Sequence, residues 1–171
     1  MSASSSSTDE GGDRPTIITK KYGDEAFRSV CPLPSGTWLV TGHGSPLIHE
    51  LDPSKEGEAA LTVFAGHEGG RDHHGGRKDG IATDASFIYP YYMCLMKDGS
   101  IVVGDAGSNL LRLITVTPSG MKLVNTLAGD GTKAHRDGEA LQAQFKSIPG
   151  LAYNPVDDSI LIIDTFTRVR K

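Results

Sequence analysis

Residues 64–80, FAGHEGGRDHHGGRKDG, gather three histidines, two aspartates, a glutamate and three basic residues among six glycines. A zinc ion would need three or four ligands at about 2 Å, and His67, Asp72, His73 and His74 carry suitable atoms. Adjacent His73 and His74 diverge unless the backbone turns sharply, and neither HxH nor HExxH occurs. A phosphate cradle is weaker still, because no Walker-type glycine-lysine loop leads into a helix. Electrostatics fits better. Arg71, Arg77 and Lys78 form a basic cluster, and His73 and His74 add charge below about pH 6.5. Against all three stands an ordinary solvated loop.

An internal comparison helps to decide. TVFAGHEGGRDHHGGRKDGIATDASF ends at Phe87, and NTLAGDGTKAHRDGEALQAQF ends at Phe145. Ala65-Gly66 answers Ala128-Gly129, Asp79-Gly80 answers Asp137-Gly138, and Ala82, Ala85 and Phe87 answer Ala140, Ala143 and Phe145. The following stretches, KDGSIVVGDAGSNLLRL and VDDSILIIDTFTRVRK, match at Ser100-Ile101 with Ser159-Ile160 and at Asp105 with Asp164. A fainter copy lies upstream, with Phe27 set near the place of Phe87 and Gly42 where the others have aspartate. The shared glycines then serve backbone geometry, since positive φ is cheap only for them. The histidine pair is not repeated. His135, Lys133 and Arg136 of the second loop should emerge beside the first loop and extend its basic character.

Each unit reads as four short strands with turn residues between Val/Ile/Leu-rich runs. The inner strands fall near 28–32, 90–96 and 149–154. Second strands follow near 37–41, 100–104 and 159–163, third strands near 46–51, 109–116 and 167–171, and fourth strands near 60–65 and 121–128. IATDASF and EALQAQF suit one helical turn each. Four strands at a period of about 60 residues imply an all-β propeller blade rather than a solenoid coil.

The passage TLAGDGTKAHRDGEALQAQFKSIPGLAYNPVDDSILIIDTFTRVRK resembles an NHL repeat of the long-looped kind; residues 62–113 are similar but looser, and 16–51 only suggest it. The resemblance implies an NHL-type β-propeller segment of about three four-stranded blades, an incomplete ring, with blades at about 26–65, 87–128 and 145–171. It implies a protein-interaction platform, as in adaptors attached to ubiquitin-ligase, BTB or kinase modules. Such propellers also serve as RNA-binding platforms, and a few relatives are enzymes. The family's usual Asn after the corner aspartate is Ser108 in one copy and Thr167 in the other, where the turn looks a residue shorter.

Composition fits this reading. In 171 residues there are 21 glycines and 9 prolines, the net charge is −4, and no apolar run reaches membrane-spanning length. Net negative charge disfavours extensive phosphate contact. Residues 1–14 are Ser-rich and acidic, lack a signal-peptide core and read as disordered. Cys31 and Cys94 are too few for a disulfide framework and read as small core residues in equivalent positions, so a reducing, cytoplasmic setting is expected. Residues 15–20, PTIITK, stand where an outer strand should lie and read as a closure strand, so further blades or a second copy should complete the ring.

Function is therefore expected to be non-catalytic, with a protein partner and no cofactor or membrane. The partner-binding candidates are Arg71, His73, His74, Arg77, Lys78, Lys133, His135 and Arg136. RNA binding through these basic loops is one alternative. The other is a metal-dependent lyase or lactonase using Asp105, Asp164, His43 and His135. The corner aspartates read instead as acceptors for turn amides, and YPYYMCLM as an inner strand whose aromatics pack in the core.

Overall fold

The computed structural model describes residues 19–22, 26–69 and 76–171. The chain is all-β, with three antiparallel sheets in sequence order. The first contains β1 (Phe27–Pro32), β2 (Trp38–Gly42), β3 (Ile48–Leu51) and β4 (Leu61–Ala65). The second joins a two-residue strand, β5 (Gly80–Ile81), to β6 (Pro90–Leu95), β7 (Ile101–Asp105), β8 (Leu110–Val116) and β9 (Lys122–Ala128). The third consists of β10 (Gly150–Asn154), β11 (Ser159–Asp164) and β12 (Arg168–Arg170). Each sheet is a meander from its first strand outward, and β5 adds to the far edge of the second against β9. β5 was absent from the sequence reading, since two residues carry no periodicity. EALQAQF supplies a short 3-10 turn at Ala140–Gln142, whereas IATDASF makes hydrogen-bonded turns, with the amides of Asp84 and Ala85 both donating to the Ile81 carbonyl.

The sheets stack in order. One core lies between the first and second sheets, built from Leu39, Ile48, Phe64, Phe87, Ile101, Val103 and Ile114. Another, with Leu111, Phe145, Ile148 and Ile162, lies between the second and third. The first strands β1, β6 and β10 are neighbours along one side of the stack. Phe87 and Phe145 are the matching plugs, each nearly fully buried. Phe27 is not a third. Register sets it opposite Gly42, the place of Pro90 opposite Asp105, and it is 40% exposed on the outer face of the first sheet. Register does bear out the matching of Cys31, opposite Leu39, with Cys94, opposite Val102. Cys31 is buried and Cys94 half-buried.

The shared glycines behave as their spacing implied. Gly66 and Gly129 have φ of 88° and 99°, and a Cβ on either would run into a carbonyl, that of Pro46 or Asn109 respectively. The Ser-rich segment 1–14 and most of the closure segment 15–20 lie outside the described residues.

Candidate functional site

The loops at one end of the stack are organised by a residue pair that the sequence reading missed. Arg112 on β8 has no exposed surface. Its Nη1 donates to the Ser86 carbonyl (2.8 Å), and its Nη2 donates to the Lys78 carbonyl (2.9 Å) and Asp79 Oδ1 (2.6 Å). The guanidinium also stands over the Phe87 ring at 5.1 Å. Arg170 on β12 repeats the arrangement. It donates to the carbonyls of Gln144 and Arg136, pairs with Asp137 at 2.9 Å, and covers Phe145 at 4.6 Å. The Asp of each Asp-Gly is thus an arginine partner as well as a turn residue. Arg112 lies seven residues after Asp105 and Arg170 six after Asp164, and the shorter turn hid the match from a sequence comparison. Strand register shows it: Val103 faces Arg112, and Ile162 faces Arg170.

The corner aspartates are both buried. Asp105 accepts from the amides of Ile88 and Tyr89 and from the Ser108 hydroxyl at 2.7 Å. Asp164 accepts from the amides of Lys146 and Ser147. The expected acceptor role stands, but the amides belong mainly to the segment entering the sheet's first strand rather than to the aspartate's own turn. Their acidities diverge. Burial pushes Asp105 up, and the bonds from Ser108, Tyr89 and Ile88 and the Arg112 charge do not cancel it. For Asp164 burial is again the largest single influence, yet the Ser147 amide, His135, the Lys146 amide and Arg170 together take the carboxyl below the usual range. His135 Nδ1 lies 3.2 Å and Arg170 Nη1 3.1 Å from Asp164 Oδ2.

The sequence candidates separate accordingly. Arg71, His73 and His74 lie outside the described residues, as does Asp72. Arg77 reaches across to the second loop, its Nη2 donating to the Gly131 carbonyl at 2.8 Å. The two loops are therefore in contact, as their equivalence implied. Arg136 is tied back to the Gln142 carbonyl and Asp130, and His135 to Asp164. These three are occupied within the protein. Lys78 and Lys133 keep exposed side chains on the same end. Among the described residues no group of three or more His, Cys, Asp or Glu side chains converges.

Two further features stand out at this end. The tyrosines of YPYYMCLM do not enter the core; Tyr89, Tyr91 and Tyr92 are half-buried. Tyr91 stacks on Tyr89 at 5.4 Å and carries the Arg28 guanidinium at 4.7 Å. Their strand lies along the open side of the stack, so its buried positions are Pro90 and Met93 instead. The other is the β11–β12 turn. Thr165 and Phe166 have φ of 61° and 59°, and Phe166 is 83% exposed. Consecutive left-handed residues suit Asn-Gly and are costly for a β-branched or aromatic side chain.

Three stacked antiparallel sheets, the second and third sharing an Asp–Arg clasp, define the chain as a repeat-built all-β protein. No family model matches it, and no curated protein does either. Solved structures share its arrangement. A Bacteroides thetaiotaomicron protein of unknown function matches 79% of the chain with TM-score 0.63 and 20% identity. An auxiliary nutrient binding protein from Bacteroides ovatus matches 79% with TM-score 0.59 and 24% identity. A candidate phosphatase from Bacteroides thetaiotaomicron matches 84% with TM-score 0.61 and 21% identity. The chain spans about a third of the length of these structures, covering 31%, 34% and 33% of them respectively. No helix among the described residues is long and apolar enough to cross a membrane.

Proposed function

We propose that residues 26–171 are three blades of an NHL-type propeller and act as a non-catalytic protein-interaction module. The binding face is the end where Arg77 reaches the 129–138 loop and His135 of that loop reaches Asp164, beside the β11–β12 turn. The observation that carries this reading is Phe166. Each left-handed non-glycine residue costs roughly 1–2 kcal/mol, and the ring is 83% exposed, so it returns little through burial. An aromatic held in solvent at an end that also carries the exposed Lys78 and Lys133 suits a partner segment that is acidic and carries an apolar residue; aromatic anchors dominate such contacts.

The test is the double variant T165N/F166G in the 171-residue chain. An Asn-Gly turn should raise stability by about 1–2 kcal/mol while abolishing capture of the partner proteins that the parent retains. V156S, at a turn 91% exposed between β10 and β11, serves as the control and should leave capture intact. Retention of the same partners by T165N/F166G would refute the assignment of the face.

A further inference from the structure

We propose that the first sheet binds the carboxylate of a small external ligand at the place where the other two sheets carry their own corner aspartate. The site is built from the first two sheets alone and does not rest on the loop-face reading.

Register defines the place. Gly42 stands opposite Phe27 as Asp105 stands opposite Pro90. The His43 amide donates to the Ala26 carbonyl as the Ala106 amide donates to that of Tyr89. Ile48, opposite Thr41, answers Leu111, opposite Gly104, so Ser45 and Ser108 each lie three residues before an equivalent position. In the second sheet the Tyr89 amide and the Ser108 hydroxyl, both donating at 2.7 Å, hold the Asp105 carboxylate. The first sheet keeps both donor positions, as the Ala26 amide and the Ser45 hydroxyl, but Gly42 has no side chain to accept from them. Among the described residues the Ala26 amide has no acceptor. Ser45 Oγ accepts from the Leu47 amide at 3.2 Å, which leaves its own proton to give. The result is a recess of about 220 Å³, lined by Ala26, Gly42, His43, Gly44 and Ser45.

Positive charge is brought to it by a feature that the third sheet lacks. β1 and β6 each carry one extra residue against their partner strand, Arg28 and Tyr91. β10 pairs with β11 without such a bulge. A bulge re-aims its side chain, and here the two extra residues meet. The Arg28 guanidinium lies over the Tyr91 ring at 4.7 Å, and its Nη2 donates to the Tyr92 hydroxyl at 3.3 Å. The Thr41 hydroxyl donates to the Tyr91 carbonyl at 3.4 Å and fixes the second bulge from the first sheet. His43, in the wall of the recess, stacks on Tyr91 at 6.1 Å. β1, β6 and β10 contain no Asp or Glu, and among the described residues Arg28 has no carboxylate partner. One guanidinium beside two neutral donors matches the single charge and two oxygens of a carboxylate. The His43 and Tyr91 rings give a flat body attached to that carboxylate a surface to stack on.

Titration of the isotope-labelled 171-residue chain with sodium benzoate, followed by amide NMR, tests this. Benzoate should bind with a Kd of roughly 1 mM and move the Ala26 amide proton downfield, as a new acceptor does. Benzamide, which keeps the ring without the charge, and inorganic phosphate should each bind roughly tenfold more weakly or worse. R28M, at an exposed side chain, should lose a similar factor. G42D restores the acceptor within the chain, so it should abolish benzoate binding and raise Tm, which separates filling of the site from damage to the fold. An absence of shifts at Ala26, His43 and Ser45, phosphate binding as tight as that of benzoate, or benzoate binding that survives in G42D or R28M would overturn the proposal.

Discussion

Replacing Arg112 by methionine tests whether the buried arginine holds the loop end together. The change removes the donors to the Ser86 and Lys78 carbonyls, which lie at 2.8 and 2.9 Å. Each buried acceptor left unpaired costs about 1–3 kcal/mol. Asp79 adds little, because its side chain is 43% exposed and water can replace the guanidinium. An opposing gain comes from no longer burying a cation whose Nε has no partner. The balance is a loss of about 3 kcal/mol. That is a large part of the roughly 5–15 kcal/mol that holds a domain folded, and it corresponds to a fall in Tm of about 6–12 °C at this size. Thermal and urea unfolding of R112M, R112K and R170M measures it. R112K should recover less than half, since one ammonium cannot span the same acceptors. R170M should cost about 1–2 kcal/mol, because Arg170 sits on an open edge where water can reach its acceptors. An R112M chain as stable as the parent would refute the reasoning and mark the buried charge as a burden.

The corner aspartates should respond to pH in opposite directions. Asp164 is held below the usual carboxylate range, so its stabilisation, read as parent minus D164N, is full above that range and disappears as pH falls through the depressed value. Asp105 is raised; its advantage over D105N is greatest below the ordinary value and shrinks as pH rises through the elevated one. Urea titrations between pH 3 and 7 should therefore show slopes of opposite sign, and parallel slopes would contradict the assignment. Burial first, and then the nearby Cys31 thiol, push Cys94 up to about 11. At pH 8 only about 0.1% would be thiolate, so iodoacetamide should label it at least a hundredfold more slowly than in the urea-unfolded chain. Phe87→Ala should cost about 3–5 kcal/mol, because the ring is fully buried between two sheets, whereas Phe27→Ala should cost under about 1.5 kcal/mol by urea unfolding.

The strand plan was legible because strand turns and alternation are local signals, and the Asp-Gly, Ala and Phe matches fixed the period. Burial was less so. Phe27 looked like Phe87 by type, but its register opposite Gly42 leaves it 40% exposed on the outer face, and no local pattern records which face of the first sheet packs on the second. The tyrosines of YPYYMCLM were misread for a similar reason, since a strand at the open side of a stack has no core to fill on that side. Arg112 and Arg170 were hidden by a one-residue difference in turn length. The basic loop candidates were recognised by charge alone, and charge does not reveal that Arg77, His135 and Arg136 have acceptors inside the protein. Phe166 carried a signal that could have been used: an aromatic flanked by threonines in a turn where Asn or Gly is the easy choice.

The first sheet lacks both halves of the arrangement that braces the other two, with Gly42 in the aspartate position and His49 in that of the arginine. Its own strands therefore reach the second sheet through packing and through single exposed or part-buried hydrogen bonds, Arg28 to the Tyr92 hydroxyl and Thr41 to the Tyr91 carbonyl, with no buried arginine–aspartate clasp among them. Heat or denaturant should peel this end away first, and amides of β1–β4 should exchange with deuterium while those of β7 and β8 stay protected. The molecule would come apart directionally, like a stack of pages glued at all but one margin.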